Sequence, residues 1–247
     1  MGRRDPARRH QAGRLRVATR MAEAPTLTIR RDWPRPDTGA LAAFRDVPTG
    51  WVVDAQGRRG ALDHGIRCLT RASRILGAAL PVWSRGRDNL APYAALAFAK
   101  PGDVLIVATD DCVSASVAGD ILLGMARNGG VAGMVTDGVV RDVPGLDAVG
   151  IPVFARGVSP NSPQKDGPGT IGLPIAIGGV LVSPGDLVVA DGDGVVIVPL
   201  SGISAVVAAL AEVRAKEAQM DAAVAGGATR PGWLAERLAR ADIGFVD

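Results

Sequence analysis

Asp120 and the pair Arg141-Asp142, with twenty residues between Asp120 and Arg141, are the side chains whose types and spacing best suit chemistry. Asp120 opens an amphipathic segment, ILLGMARN, that reads as a helix, and Arg141-Asp142 closes the apolar run that follows it. The backbone N–H groups of Ile121, Leu122 and Leu123, just after Gly119, are first-turn donors able to hold a carboxylate or an enolate oxygen. Arg141 can grip the same carboxylate through two hydrogen bonds. Asp142 can hold Mg²⁺ or Mn²⁺, mostly through water, because such ions take few protein ligands. That set suits metal-assisted work on a 2-oxo acid: polarising the keto oxygen and stabilising the enolate left by C–C cleavage. A plainer account also stands, in which Asp120 caps a helix and Arg141-Asp142 is a surface ion pair.

Other chemistries are poorly supplied. The lysines are Lys100, Lys165 and Lys216; the first precedes a Pro-Gly turn, the second lies in a polar loop and the third on a charged helix. None has the apolar strand setting that a Schiff-base amine needs. Two histidines and two cysteines cannot build a zinc site. His64 and Cys68 are four residues apart and would share a helical face, where packing explains them better than a nucleophile-base pair lacking an orienting group. There is no phosphate-binding G-x-x-x-x-G-K-[ST], no GxGxxG after a strand, and no G-x-S-x-G elbow. Asp191 and Asp193, in VVADGDGVVIVP, read as turn residues between two strands.

The elements that must position these residues follow from hydropathy. Asp37 onward alternates between strand and helix character. Helices are expected over 38–46, 61–76, 91–99, 120–128, 143–150, 201–220 and 231–241, and strands over 78–84, 103–109, 131–137 and 151–157. Short strands PIAIG, VLVSP, LVVAD and GVVIVP come after the polar loop PNSPQKDGPG, which has the composition of a segment that covers a site or borders an interface. Hydrophobic residues make up 47% and aromatics 4%, so the core is aliphatic, as in wound α/β layers.

Charge is uneven. Residues 1–36 hold ten Arg against Asp5, Glu23 and Asp32; the rest carries eighteen basic and twenty-two acidic side chains, so the body is mildly acidic despite a net charge of +3. A nucleic-acid reading based on the pI alone therefore fails. The segment 1–36 is expected to be a disordered extension, dispensable over 1–25, with Met21 as the initiator, and 37–247 to be one domain. It lacks the apolar stretch of a secretory signal, and no run approaches a membrane span. Cys68 and Cys112 are expected to be reduced and buried, which fits the cytoplasm.

The run GDVLIVATDD…AGDILLGMARNGGVAGMVTDGVVRD…IPVFARG…LPIAIGGVLVSPGDLVVADGDGVVIVP resembles the RraA-like family over about residues 38–220. That family includes the class II 4-hydroxy-4-methyl-2-oxoglutarate aldolases, which also decarboxylate oxaloacetate, and the RraA regulators, which bind ribonuclease E. The resemblance implies a compact α/β/β/α sandwich of the swivelling β/β/α type, assembled as a homotrimer or homohexamer. The D-x20-R-D pattern of the aldolase branch is intact. By position, Asp142 resembles the Mg²⁺ ligand, Arg141 the clamp on the substrate carboxylate, and Asp120 the residue that orients a proton-transferring water. Residues 119–123 match the substrate-binding loop, and Glu217 an acid donated by a neighbouring subunit through metal-bound water. The resemblance thus implies a metal-dependent lyase with a small 2-oxo acid substrate, no nucleic acid and no membrane; a non-catalytic regulator is the alternative. Two departures bear on the substrate: the loop TDDCVSASVAGD is unusual, and the first acid after Asp142 is Asp147.

Overall fold

The computed structural model describes residues 24–240 and 242–246. Its centre is a mostly parallel sheet in the order β1 (Leu27–Ile29), β10 (Gly169–Ile171), β3 (Ile75–Ser84), β4 (Asp103–Ala108), β6 (Gly133–Thr136), β8 (Val153–Ala155) and β2 (Arg67–Cys68). Strands β3, β4, β6 and β8 are parallel, joined through the helices α3 (Leu90–Ala95), α4 (Asp120–Asn128) and α5 (Val143–Val149). They are buried on both faces, as parallel strands covered on each side must be.

Alternation along the strands builds the layers. Leu80, Val82, Leu105 and Val107 face α4, packing with Leu122, Leu123 and Ala126. Ala79, Val104 and Ile106 face the other way, onto β13 (Leu187–Asp191), β14 (Gly194–Val198) and the hairpin of β11 (Ile175–Ile177) and β12 (Val180–Val182). Leu187, Val189, Val196 and Val198 in turn meet α1 (Thr38–Ala43), α2 (Thr49–Ala55) and α6 (Ile203–Ala225). The result is the α/β/β/α sandwich that the resemblance implies. Helix α6 is anchored by Ile203, Val206 and Leu210; its remaining turns, and the short α7 (Leu234–Leu238), are largely exposed.

Five expectations are corrected. Residues 61–76 are not helical: the amides of Leu62 and Asp63 donate to Val195 and Gly178, and Arg67–Cys68 pairs with Phe154–Ala155. Leu62 and Ile66 have helical spacing and are buried, yet pairing with distant strands overrides that local signal. The described part of the N-terminal extension is not disordered, since Leu27–Ile29 is a sheet strand. Trp33 is buried and Arg35 makes a bidentate pair with the buried Asp103 at 2.7 and 2.8 Å. The expectation for residues 1–23 lies outside the described residues. Cys68 and Cys112 are unpaired but only half-buried, and the His64 side chain is fully exposed, off any face shared with Cys68. The helix expected over 231–241 shortens to Leu234–Leu238. Asp191 is structural as expected: it accepts from the Thr49 amide and hydroxyl at 2.8 and 2.7 Å and caps α2, while also accepting from the Asp193 amide.

Candidate active site

A small parallel sheet positions the site. β5 (Ser116–Ala118), β7 (Val139–Val140) and β9 (Gly157–Val158) follow β4, β6 and β8 and lie side by side. Ala118 is opposite Val140, and the Arg141 amide donates to the Ala118 carbonyl at 3.0 Å. The residues leaving β5 and β7 are therefore neighbours: Gly119-Asp120 beside Arg141-Asp142. The twenty intervening residues are what α4, β6 and the turn into β7 require, so the spacing seen in the sequence is the length of one crossover.

Gly119 precedes the first residue of α4 in extended conformation. A Cβ there would stand 2.5 Å from Asp142 Oδ2 and 3.1 Å from Arg141 Cγ, so glycine lets both side chains close over the helix start. Asp142 has left-handed backbone angles, φ 60 and ψ 42, and leads into α5. Aspartate tolerates that region better than most residues; the turn returns its carboxylate towards Gly119. Asp120 packs over Gly145 of α5, where a Cβ would lie 2.5 Å from Asp120 Oδ2. Two glycines thus make room for two carboxylates.

Arg141 is held from both ends. Its Nε donates to Asp142 Oδ2 at 3.1 Å and its Nη1 to the Ser162 hydroxyl at 2.8 Å. Ser162 belongs to a strap, residues 159–168, that crosses the cleft. Its neighbour Asn161 accepts through its carbonyl from the Ser116 amide and hydroxyl at 2.9 and 2.8 Å. The cleft beneath is small and lined by Asn89, Tyr93, Asp120, Ile121, Lys165 and the Arg141-Asp142 pair, among others. Asn89 is 6% exposed, and its side-chain oxygen has no hydrogen-bond partner among the described residues. The ammonium of Lys165 lies over the Tyr93 ring at 5.8 Å.

The unusual loop after β4 is organised by a buried acid. Asp137 accepts from the Thr109 amide and hydroxyl at 2.6 and 2.8 Å, and Asp110 and Asp111 adopt positive φ. Burial pushes the Asp137 carboxyl above its ordinary range despite those bonds. Farther along, Arg156 bridges Asp63 and Asp111, each at 2.7 Å, and holds the Asp63 carboxyl below its usual value.

The structure therefore brings together Gly119, Asp120, Ile121, Arg141 and Asp142 in one cleft. Leu122 and Leu123 contribute backbone only, since both side chains are in the core. The Leu123 amide already donates to Gly119 at 3.1 Å, so it is removed from the anion-binding donors. Glu217 is on α6, beside Asp54, Arg58 and Lys216, and within one chain it is not part of this cleft. Sequence reasoning did not single out Asn89, Tyr93, Ser162 and Lys165; for Ser162 and Lys165 the polar, Pro/Gly-rich composition of the strap was the available signal, and for Asn89 and Tyr93, at the start of α3, there was none.

The donor set suits a hard divalent cation. Among the described residues no group of three or more His, Cys, Asp or Glu side chains converges, which disfavours a zinc-type cage. Asp142 has one oxygen free of protein hydrogen bonds, and Asp120 has no protein hydrogen bond to its carboxylate among the described residues. One or two carboxylates with water completing the sphere is how proteins hold Mg²⁺.

A family profile, a sequence relative and several solved structures match the chain. The profile of the Aldolase/RraA family, RraA-like, matches residues 49–197. A protein of Halalkalibacterium halodurans, with the provisional name 4-hydroxy-4-methyl-2-oxoglutarate aldolase, is 41% identical over 160 residues, 64% of this chain and 76% of that protein. The crystal structure of a Pseudomonas syringae pv. tomato protein of unassigned function superposes with a TM-score of 0.71 at 27% identity, covering 80% of this chain and 97% of that one. Streptomyces coelicolor RraAS2, described as an unusual member of the RNase ES inhibitor RraA family, gives a TM-score of 0.67 at 30% identity, covering 76% and 98%.

Proposed function

The chain belongs to the RraA-like family, and we propose that it is a divalent-metal-dependent pyruvate aldolase. It cleaves a 4-hydroxy-2-oxo acid such as 4-hydroxy-4-methyl-2-oxoglutarate to pyruvate and a second oxo acid, and decarboxylates oxaloacetate. The observation that carries this reading is the register that sets Arg141-Asp142 beside Gly119-Asp120 at the start of α4.

In this reading Arg141 and the amides of Ile121 and Leu122 bind the C1 carboxylate. Asp142 would hold Mg²⁺ or Mn²⁺, and in a homotrimer or homohexamer Glu217 of the partner subunit would supply a second acid near it. The cation, when bound, supplies Lewis-acid polarisation of the 2-oxo group. Asp120 orients the water that takes the proton from the 4-hydroxyl. The C3–C4 bond breaks, C4 becomes a carbonyl, and its electron pair passes to C3 and the 2-oxo group; protonation of C3 from the same water gives pyruvate. Loss of CO₂ from oxaloacetate leaves the same electron pair. Lys165, with Asn89 and Tyr93 behind it, is the cation available to the distal carboxylate. Neither nucleic acid nor a membrane enters this reading; among the described residues no helix is long and apolar enough to cross a membrane.

The test is pyruvate release from 4-hydroxy-4-methyl-2-oxoglutarate and from oxaloacetate with Mg²⁺ or Mn²⁺. Turnover that EDTA and Asp142→Ala abolish supports the reading; absence of turnover, or indifference to both treatments, sinks it. The likeness to RraAS2 favours a second reading, a non-catalytic ribonuclease regulator. That reading requires capture of a ribonuclease which survives EDTA and Asp142→Ala, with no lyase activity.

A further inference from the structure

The carboxylate of Asp88 is buried, with a side chain that is 0% exposed, and it lies in no part of the chemistry above. Its two oxygens serve two different segments. Oδ1 accepts from the Leu90 amide at 2.9 Å, at the start of the helix that carries Tyr93. Oδ2 accepts from the Asp166 amide at 2.7 Å, in the strap. Main-chain bonds reinforce the second tie: the Asn89 amide donates to the Gln164 carbonyl at 3.0 Å and the Gln164 amide to the Arg87 carbonyl at 2.8 Å. The residues on both sides of Lys165 are therefore fastened to the segment that holds Asp88, and one carboxylate fixes both the lysine and the ring it lies against.

A buried carboxylate that accepts main-chain N–H bonds is a stiff anchor, because leaving those amides unpaired is costly. The strap is otherwise exposed and rich in proline and glycine, with little packing of its own to hold its shape. We propose that Asp88 is a positioning residue that acts through Lys165, fixing where the distal carboxylate of the substrate is received and so favouring 4-hydroxy-2-oxo acids that carry one. The inference rests on the aldolase reading. It assigns Asp88 no contact with substrate.

The experiment compares wild type, Asp88→Asn, Lys165→Ala and the double variant on 4-hydroxy-4-methyl-2-oxoglutarate, with oxalate as a competitive inhibitor that occupies only the Arg141 end. Asparagine keeps the shape but must present an N–H₂ to one of the two amides. Asp88→Asn should raise KM at least about tenfold, the loss of roughly one charged hydrogen bond, while kcat stays within about twofold. The oxalate inhibition constant should not move. In the Lys165→Ala background the Asp88 change should add little, since two groups acting as one unit are not additive. A weakening of oxalate equal to that of substrate, or full additivity with Lys165→Ala, overturns the inference and leaves Asp88 a structural residue. Gln164→Pro, on the exposed strap, removes one tie without burying anything and should give the same signature if Asp88→Asn fails to fold. Wild-type protein without turnover removes the aldolase reading, and the inference falls with it; wild-type turnover with unchanged variants overturns the inference alone.

Discussion

A side-chain carbon at position 119 would stand 2.5 Å from Oδ2 of Asp142. The atoms it would strike belong to the Asp142 and Arg141 side chains, which can swing away, rather than to backbone. Gly119→Ala should therefore leave folding almost intact while displacing the groups at the helix start. Expected is a loss of at least about 100-fold in kcat/KM, about 2.7 kcal/mol of transition-state stabilisation, with Tm within a few degrees of wild type. Thermal unfolding beside steady-state kinetics checks it; a melt that drops in step with activity would contradict it.

Arg141 donates to two partners at once, to Asp142 through Nε and to Ser162 through Nη1. Arg141→Lys keeps the charge and loses the planar fork, so KM for the 2-oxo acid should rise by about tenfold or more. Asp142→Ala should weaken Mn²⁺ binding, followed by electron paramagnetic resonance, in a way that Arg141→Lys does not.

Arg35 and Asp103 are a stability prediction. Asp103 has a side chain 1% exposed and receives both Arg35 bonds together with the Lys100 amide. Arg35 also stacks on Trp33, 4.6 Å from the ring centre. Arg35→Ala leaves a buried carboxylate without its cation and should cost ~3 kcal/mol or more of unfolding free energy in urea titration. A loss below about 1 kcal/mol, the range of a surface pair, would refute the buried-pair account.

Asp137 sets a pH dependence. Burial raises its folded carboxyl above 3.8, so the folded protein holds this proton at pH values where the unfolded chain has released it. Its contribution to stability is therefore greatest below pH 3.8 and declines as pH rises through the folded value. Asp137→Asn lacks that titration. The stability advantage of wild type over Asp137→Asn should shrink from pH 4 towards neutrality, measured by denaturant unfolding at each pH; an advantage that grows over this range would reverse the sign.

Cys112 should be the more reactive thiol. Burial by itself would raise its pKa, but hydrogen bonds from the Ser114 hydroxyl and amide and from the Arg87 and Ala115 backbone bring it below the ordinary value. Cys68 instead donates to the Thr70 and Ala72 carbonyls. Timed alkylation followed by peptide mass analysis should modify Cys112 first.

By itself the sequence determined the local signals: apolar runs such as 103–108, the helix opened by Asp120, the aspartate-glycine turn at 191–194, and the Asp120, Arg141 and Asp142 set. Those are readable because period and residue type are properties of neighbours in the chain. The tertiary structure alone decided the rest. Residues 61–76 have helical spacing, yet their hydrogen bonds go to Val195, Gly178 and strand β8. Leu27–Ile29 sits in an Arg-rich segment, yet β10 supplies a strand partner some 140 residues away. Asn89, Ser162 and Lys165 reach the cleft because Asp88 and Ser116 tie down a loop that has no periodicity to read. Pairing and tethering across long stretches of chain depend on where the partner lies in space, which no local pattern encodes.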